Sequence, residues 1–408
     1  MENNPTNNYD LIIVGGGPIG LATAYHYKKI NKNATVLVLE KAYIHNQSGS
    51  SNGQTRQFRY QYAEDYMVAL AYKSEPYWKE LENFHGKQLI NRSGSLWFGD
   101  DNISGSEGQI TPAKENLDKF KLPYEVLSGK EIENRFGFKG LKEDEVGLFQ
   151  KDGGTIDVIE TITALRNLCI GLNVEILSYK EVSNIAGKII KVDGSTYNST
   201  KIVVTAGASS KELVGERLNT EVWNLASIHY KLKDETKDVP SWFYFSEQVR
   251  DGEGHLKEGG FYYGFEKIAL QGKWYLRICP AFANKVDLAL DSNVIVPLQE
   301  DIDMTTNWVH KHLDFVHPVP EFISLGQVSL PCAAEKKLYL DYIDHSKDVL
   351  VCSSGWNFKF IPLLGYINAM EVSGKEHGID ITPFKLDSVS ELKLTTKSSG
   401  NSRRLLPF

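Results

Sequence analysis

At 408 residues, with 41% hydrophobic and 24% charged side chains, the chain is long enough to bury a large core and to form two or three structural lobes. A formal net charge of -7 leaves it without a basic footprint, which argues against nucleic acid and anionic membrane as partners and for small molecules. Its four cysteines, Cys169, Cys279, Cys332 and Cys352, form no CxxC pair, so neither a zinc site nor a disulfide framework is indicated and a reducing cytoplasm is the simplest compartment.

The first ten residues, "MENNPTNNYD", have no basic start and no apolar stretch, so no signal peptide is expected, and the apolar run that follows is too short and glycine-broken to span a bilayer. That run, "DLIIV" from Asp10, reads as a strand; "IGLATAYHYKKI" has apolar residues at helical spacing; "TVLVLE", ending at Glu40, reads as a second strand. Between strand and helix, Gly15, Gly17 and Gly20 fit G-x-G-x-x-G. The first glycine permits the turn, the second lets backbone approach a pyrophosphate, and the third lets helix pack on strand. Glu40 stands where a carboxylate can accept hydrogen bonds from ribose hydroxyls. Taken alone, this fingerprint suits either FAD or a nicotinamide dinucleotide, or at its plainest a tight bend.

Further along, residues 81–149 are rich in aromatic and alternating patterns such as "GSLWFG" and are assigned to a second, mostly antiparallel lobe. "VEILSYKEVSNI" and "GKIIKVDGSTY" read as strands and a hairpin leading to "KIVVTAGASS", a buried strand that ends in a small-residue turn at Ala206 and Gly207. Residues 222–325, with "GGFYYGF", return to the second lobe. There His310 and His312 are two apart, which on a helix points them away from each other, so no metal pair is expected and no metal site is assigned. "KDVLVCSSGWNFKFIPLLGYINAMEVSG" is a strand, a glycine turn and a helix with Pro362 near its first turn. The expected organisation is a dinucleotide lobe from 1–80, 150–221 and 326–375, a substrate lobe from 81–149, 222–325 and 376–395, and a tail at 396–408.

The fingerprint, "GSSNGQTRQFR", "DGGTIDV", "KIVVTAGASS" and "SSGWNFKF" together resemble the D-amino-acid oxidase superfamily of flavoproteins, in its monomeric sarcosine oxidase branch. Within that branch, "GSLWFGD", "EGQIT", "RFGFKGL" and "GWNFKFIPLLG" are most similar to its picolinate-forming members. The resemblance implies an α/β fold of the glutathione-reductase FAD type, a Rossmann-like FAD-binding lobe with a mostly antiparallel β substrate lobe, working as a monomer. It implies FAD as the cofactor. Gly15, Gly17, Pro18, Ile19 and Gly20 would meet the pyrophosphate and Glu40 the ribose, with Lys41 and Ser50 among the contacts. Val182 would meet the adenine, Ala206 and Gly207 the ribityl and phosphate chain, and Thr55, Arg56, Gly355, Trp356, Phe358 and Lys359 the flavin end.

For the substrate, the resemblance puts Arg59 and Lys359 on a carboxylate, a bidentate fork plus a point charge. Trp356 stands where sarcosine-oxidising members carry histidine and picolinate-forming ones tryptophan, a flat wall for a flat ring, although a tryptophan in such a turn can equally be core packing. Glu107 would bond the ring nitrogen or accept its proton, Tyr263 would line the pocket, and Lys273 would be the cation that assists dioxygen. Two positions depart from the branch. The cysteine that usually attaches FAD falls at about Gly326, leaving covalent attachment without its usual residue and Cys332 the only nearby candidate; Ala281 stands where an aspartate is expected. The function so implied is FAD-dependent oxidation of a small cyclic amino or imino acid, foremost piperideine-2-carboxylate to picolinate, with dioxygen reduced to hydrogen peroxide. The alternatives are a sarcosine or other secondary amine oxidase and, in another class, a flavin-binding electron-transfer protein.

Overall fold

The structure, a computed structural model, describes residues 7–103, 108–250, 252, 256–280, 284–286, 297, 299–332, 336–353 and 355–386. Its first sheet has a parallel centre. The strand β1 (Asn8–Val14) pairs with β2 (Val36–Leu39) on one side and with Ser195–Val204 on the other, and Glu175–Leu177 and Val349–Ser353 extend the parallel run at its two ends. Leu11 to Val14 and Val36 to Leu39 are buried on both faces, as parallel strands covered by helices require. The hairpin Val182–Ala186 and Ile189–Val192 adds antiparallel strands to Ser195–Val204, and Tyr339–Tyr342 adds one to Val349–Ser353.

Helices seal the dinucleotide side. Helix α1 (Pro18–Ile30) lies against the helix Ile361–Val372 so closely that a Cβ on Gly365 would meet Ala22 Cβ at 2.4 Å, and Asn368 donates to Thr23 Oγ1 at 3.1 Å across the contact. The second helix is buried almost all round, so its residues are apolar without a polar stripe.

A ten-stranded sheet forms the other lobe, antiparallel except where Ser95–Gly99 runs parallel to Ser241–Arg250. Its inner face packs Trp242 on Trp308 at 4.9 Å beneath the helix Gln299–His312. Three short strands, β3 (Thr55–Phe58), Ile90–Asn91 and Gly154–Asp157, make a small sheet of their own.

Residues 326–331, which the sequence pattern grouped with the dinucleotide lobe, belong to the strand Phe322–Pro331 of the ten-stranded sheet, in register along Thr220–Lys231. Strand continuity explains the difference, since the register runs unbroken through Gly326. Residues 376–386, grouped with the substrate lobe, instead send Ile381, Phe384 and Leu386 into cores that hold residues of β1 and β2.

Candidate active site

The site begins at the glycine turn after β1. Gly15 has φ +106°, a conformation that side chains rarely adopt, and a Cβ there would meet the Thr205 carbonyl oxygen at 2.5 Å. A Cβ on Gly20 would fall 2.1 Å from the Gly15 oxygen, so the third glycine is what lets α1 seat on the turn. Gly17 differs: nothing of the protein lies within 4 Å of its Cβ direction, and it faces an open cleft. The cleft is therefore bounded by the N-terminus of α1, where free backbone N–H groups and the helix dipole favour an anion.

Glu40, at the end of β2, accepts the N–H groups of Gly16 and Ala42, each at 2.8 Å, which holds the turn against the strand end. Pro18, Ile19, Lys41, Ser50, Val182, Ala206, Gly207, Gly355 and Phe358 all line the same cleft, and Lys41 Nζ donates to Ser209 Oγ at 2.9 Å across it. Two buried polar groups on this wall suit a polar cofactor. Both side-chain atoms of Asn357, a residue 1% exposed, and Ser353 Oγ have no hydrogen-bond partner among the described residues. With the open Gly17 position and the anion-favouring helix end, these residues fit FAD.

The cleft runs on into a second cavity, with Ser50, Gln327, Gly355 and Phe358 in both walls. Arg56, Arg59, Arg277 and Lys359 line this cavity, and among the described residues no carboxylate does. Arg59 is 1% exposed and its guanidinium sits among the rings of Phe243, Tyr62 and Trp97 at 4.7, 4.8 and 5.1 Å. Lys359, also buried, has its ammonium 5.5 Å from the same Tyr62 ring and donates to the Trp356 carbonyl at 3.4 Å. Its own carbonyl accepts Trp78 Nε1 at 2.7 Å, fixing the turn that carries it. Tyr263 stacks on Phe243 at 5.3 Å, and Trp356 closes the cavity beside Gly355, where a Cβ would collide with Val328. Burial, helped by Cys279, pushes the Tyr263 hydroxyl well above its ordinary pKa, so it stays protonated.

Arg56 and Arg277 meet around β3. Arg56 donates to the Thr55 carbonyl at 2.7 Å, to Asn52 Oδ1 at 3.3 Å and to the Ser50 carbonyl, and its guanidinium faces Phe358. Arg277 donates to the Thr55 carbonyl at 2.8 Å, to Thr55 Oγ1 at 3.1 Å and to Ser227 Oγ at 3.0 Å, under the Phe265 ring at 4.3 Å. Burial first, and Arg277 second, push the Arg56 pKa down to about 9. Thr55 itself lies behind the wall, buried, as the anchor of both arginines.

Lys273 is not in this site. It opens the strand Lys273–Pro280 at a hairpin tip, is exposed, and pairs with Glu321 at 3.1 Å. The cation that this strand sends into the cavity is Arg277, four residues on and on the same face. The available signal was the glycine of the Gln271–Gly272 pair, a turn former that marks Lys273 as the tip; both residues take positive φ in the structure. Asn357 also escaped the sequence reading, since a buried amide in a turn has no pattern that distinguishes it. Gly326 lines the cavity, while Cys332 lines neither cavity and donates its backbone N–H to Asn219 at 3.0 Å, so the thiol candidate is not brought to the cofactor cleft. Glu107 and Ala281 lie outside the described residues. His310 and His312 each bond a backbone carbonyl, of Pro318 and Lys139.

A glycine-turned dinucleotide cleft on a parallel sheet, opening onto a cationic cavity walled by an antiparallel one, defines a flavin-dependent oxidoreductase. Residues 10–286 match the family model described as FAD dependent oxidoreductase, and the chain belongs to that family. A protein of Dictyostelium discoideum described as a bifunctional amine oxidase is 30% identical over 88% of this chain, which spans 35% of that protein's length. The N-methyl-L-tryptophan oxidase of Yersinia pestis is 26% identical over 93% of this chain and 99% of its own, and the peroxisomal sarcosine oxidase of Mus musculus 25% over 95% and 98%. Among solved structures, NikD, an amino acid oxidase essential for nikkomycin biosynthesis, matches in its open form with TM-score 0.85 and 32% identity over 94% of this chain and 98% of that one. A glycine oxidase from Geobacillus kaustophilus, at 16% identity and TM-score 0.72, shares the fold. The protein is an FAD-dependent amino acid or amine oxidase of the sarcosine oxidase branch.

Proposed function

We propose that the protein oxidises a small cyclic amino or imino acid, piperideine-2-carboxylate first among them, to picolinate or a close relative. The observation that carries this reading is the meeting of Arg59 and Lys359 with the flat walls of Phe243, Tyr263 and Trp356 in one cavity continuous with the cofactor cleft. FAD, when bound, would accept a hydride in each of the two two-electron oxidations this conversion requires and pass the electrons to dioxygen, giving two molecules of hydrogen peroxide.

The chain's own residues do the rest. Arg59 and Lys359 hold the substrate carboxylate, and the cost of burying their charges falls when that anion arrives. Trp356 and Tyr263 flank the ring and exclude water. Arg277 takes the part expected of Lys273, a fixed cation where negative charge develops as dioxygen is reduced. Glu107 keeps its assignment as acceptor of the ring proton on the resemblance alone. FAD is held without a covalent bond, and the protein works as a monomer in the cytoplasm; no described helix is long and apolar enough to cross a membrane.

Anaerobic mixing with piperideine-2-carboxylate tests the reading: rapid bleaching of the flavin band, and its return with peroxide when air enters, is the expected result. Bleaching by sarcosine or N-methyl amino acids alone would transfer the assignment to the second reading, which the likeness to the Yersinia enzyme favours. Silence with every amine would leave an electron-transfer flavoprotein.

A further inference from the structure

Trp356 does not stand alone in the cavity wall. The Lys337 ammonium lies 5.4 Å from the centre of the indole, and the same ammonium pairs with Glu64 Oε1 at 3.1 Å. The two side chains are only 12% and 24% exposed, so this is a partly desolvated pair that salt screens little. The neighbouring Lys336 turns elsewhere, donating to the Lys385 carbonyl at 2.9 Å, so the direction of Lys337 is specific. Glu64 is the N-cap residue of the helix α2 (Asp65–His85), five residues after Arg59. The pair therefore ties the segment that follows the carboxylate-binding arginine to the tryptophan wall. Trp356 also packs against the cluster of Trp223, Val328 and Leu330.

From this arrangement we infer that Lys337, held by Glu64, is a positioning residue that fixes the Trp356 indole as a stacking wall and so makes the cavity selective for flat-ring carboxylates. A cation over an indole is attracted by the ring's negative face, which restricts rotation of the ring about its χ angles. Glu64 sets where that cation sits. The inference rests on the reading of Trp356 as the wall that faces the substrate ring.

The experiment compares dissociation constants of the holoenzyme for picolinate and for 3-methylbutanoate, an acyclic carboxylate, read from the perturbation of the flavin absorption band. The wild type binds picolinate more tightly. Lys337→Met raises the picolinate constant about 3- to 20-fold and leaves the acyclic acid within about twofold, Lys337→Arg restores selectivity, and Glu64→Gln gives a smaller loss in the same direction. Equal weakening of both acids in Lys337→Met, or no weakening of either in a wild type that discriminates, overturns the positioning role and leaves the ring-wall reading in place. A wild type that binds both acids alike overturns the ring-wall reading and this inference with it.

Discussion

Lys273 and Arg277 show how a single register decides which residue does chemistry. The hairpin pairs Leu270 with Lys273 and Ile268 with Tyr275, so the lysine is the first residue after the turn and the arginine lies about 13 Å further along the same face. The resemblance points to Lys273 because a lysine beside the flavin is the branch's pattern; the pairing shows instead that the cation this strand sends into the cavity is Arg277. Arg277→Met is accordingly expected to slow reaction of the reduced enzyme with dioxygen by about 10²-fold while leaving the anaerobic reductive half-reaction largely intact, and Lys273→Met to change neither beyond about twofold. Stopped-flow mixing of reduced enzyme with air-saturated buffer reads both, and a slow Lys273→Met would return the role to the surface lysine. Arg59 and Lys359 were legible because each sits inside a long matched motif. Glu64, Lys337 and Asn357 were not, since what gives each its part is a neighbour distant in the chain.

At the scale of the strand, turn and helix, the glycine fingerprint was readable because its constraints are local, and the structure separates the three glycines by what each spares. Gly20 spares the fold: its Cβ would strike the Gly15 carbonyl, so Gly20→Ala has to push α1 off the turn, an overpacking cost of about 1–3 kcal/mol that lowers the apoprotein's Tm by a few degrees. Gly17 spares the ligand. Its Cβ would enter open cleft, so Gly17→Ala leaves the apoprotein's Tm unchanged and weakens FAD binding on the order of tenfold or more. Thermal melts of flavin-free protein beside FAD titrations check the pair, and equal loss of apoprotein stability in both would show that the Gly17 position is not reserved for the cofactor. The strand Phe322–Pro331 was harder to place from sequence, because a strand that runs on through Gly326 within one sheet carries no compositional boundary there.

For the whole molecule, the weave of two lobes through one chain buries titratable groups whose charge state then answers to pH. His26, His229 and His312 are each 5% exposed or less, and burial pushes all three down to about 4, with Lys29 adding to the effect at His26 and Arg277 at His229. Their folded pKa values lie below the ordinary 6.5, so the unfolded chain binds protons that the folded chain refuses. The stability they contribute is complete above pH 6.5 and is lost as pH falls toward 4, at roughly 3 kcal/mol for each imidazole. Glu266 works in the opposite sense: burial raises it to about 7, against the pull of Ser93, Thr155 and Asn91, so its contribution is complete below pH 4.5 and is lost as pH rises to 7. Three groups outweigh one between pH 6.5 and 4.5, and the unfolding free energy should fall by several kcal/mol over that interval, with Glu266→Gln making the fall steeper by removing the opposing group. Denaturant midpoints measured from pH 8 to 4.5 test this. A profile flat from pH 7 to 5 would mean that these imidazoles accept protons in the folded chain, and that their surroundings open to water far more readily than their burial implies.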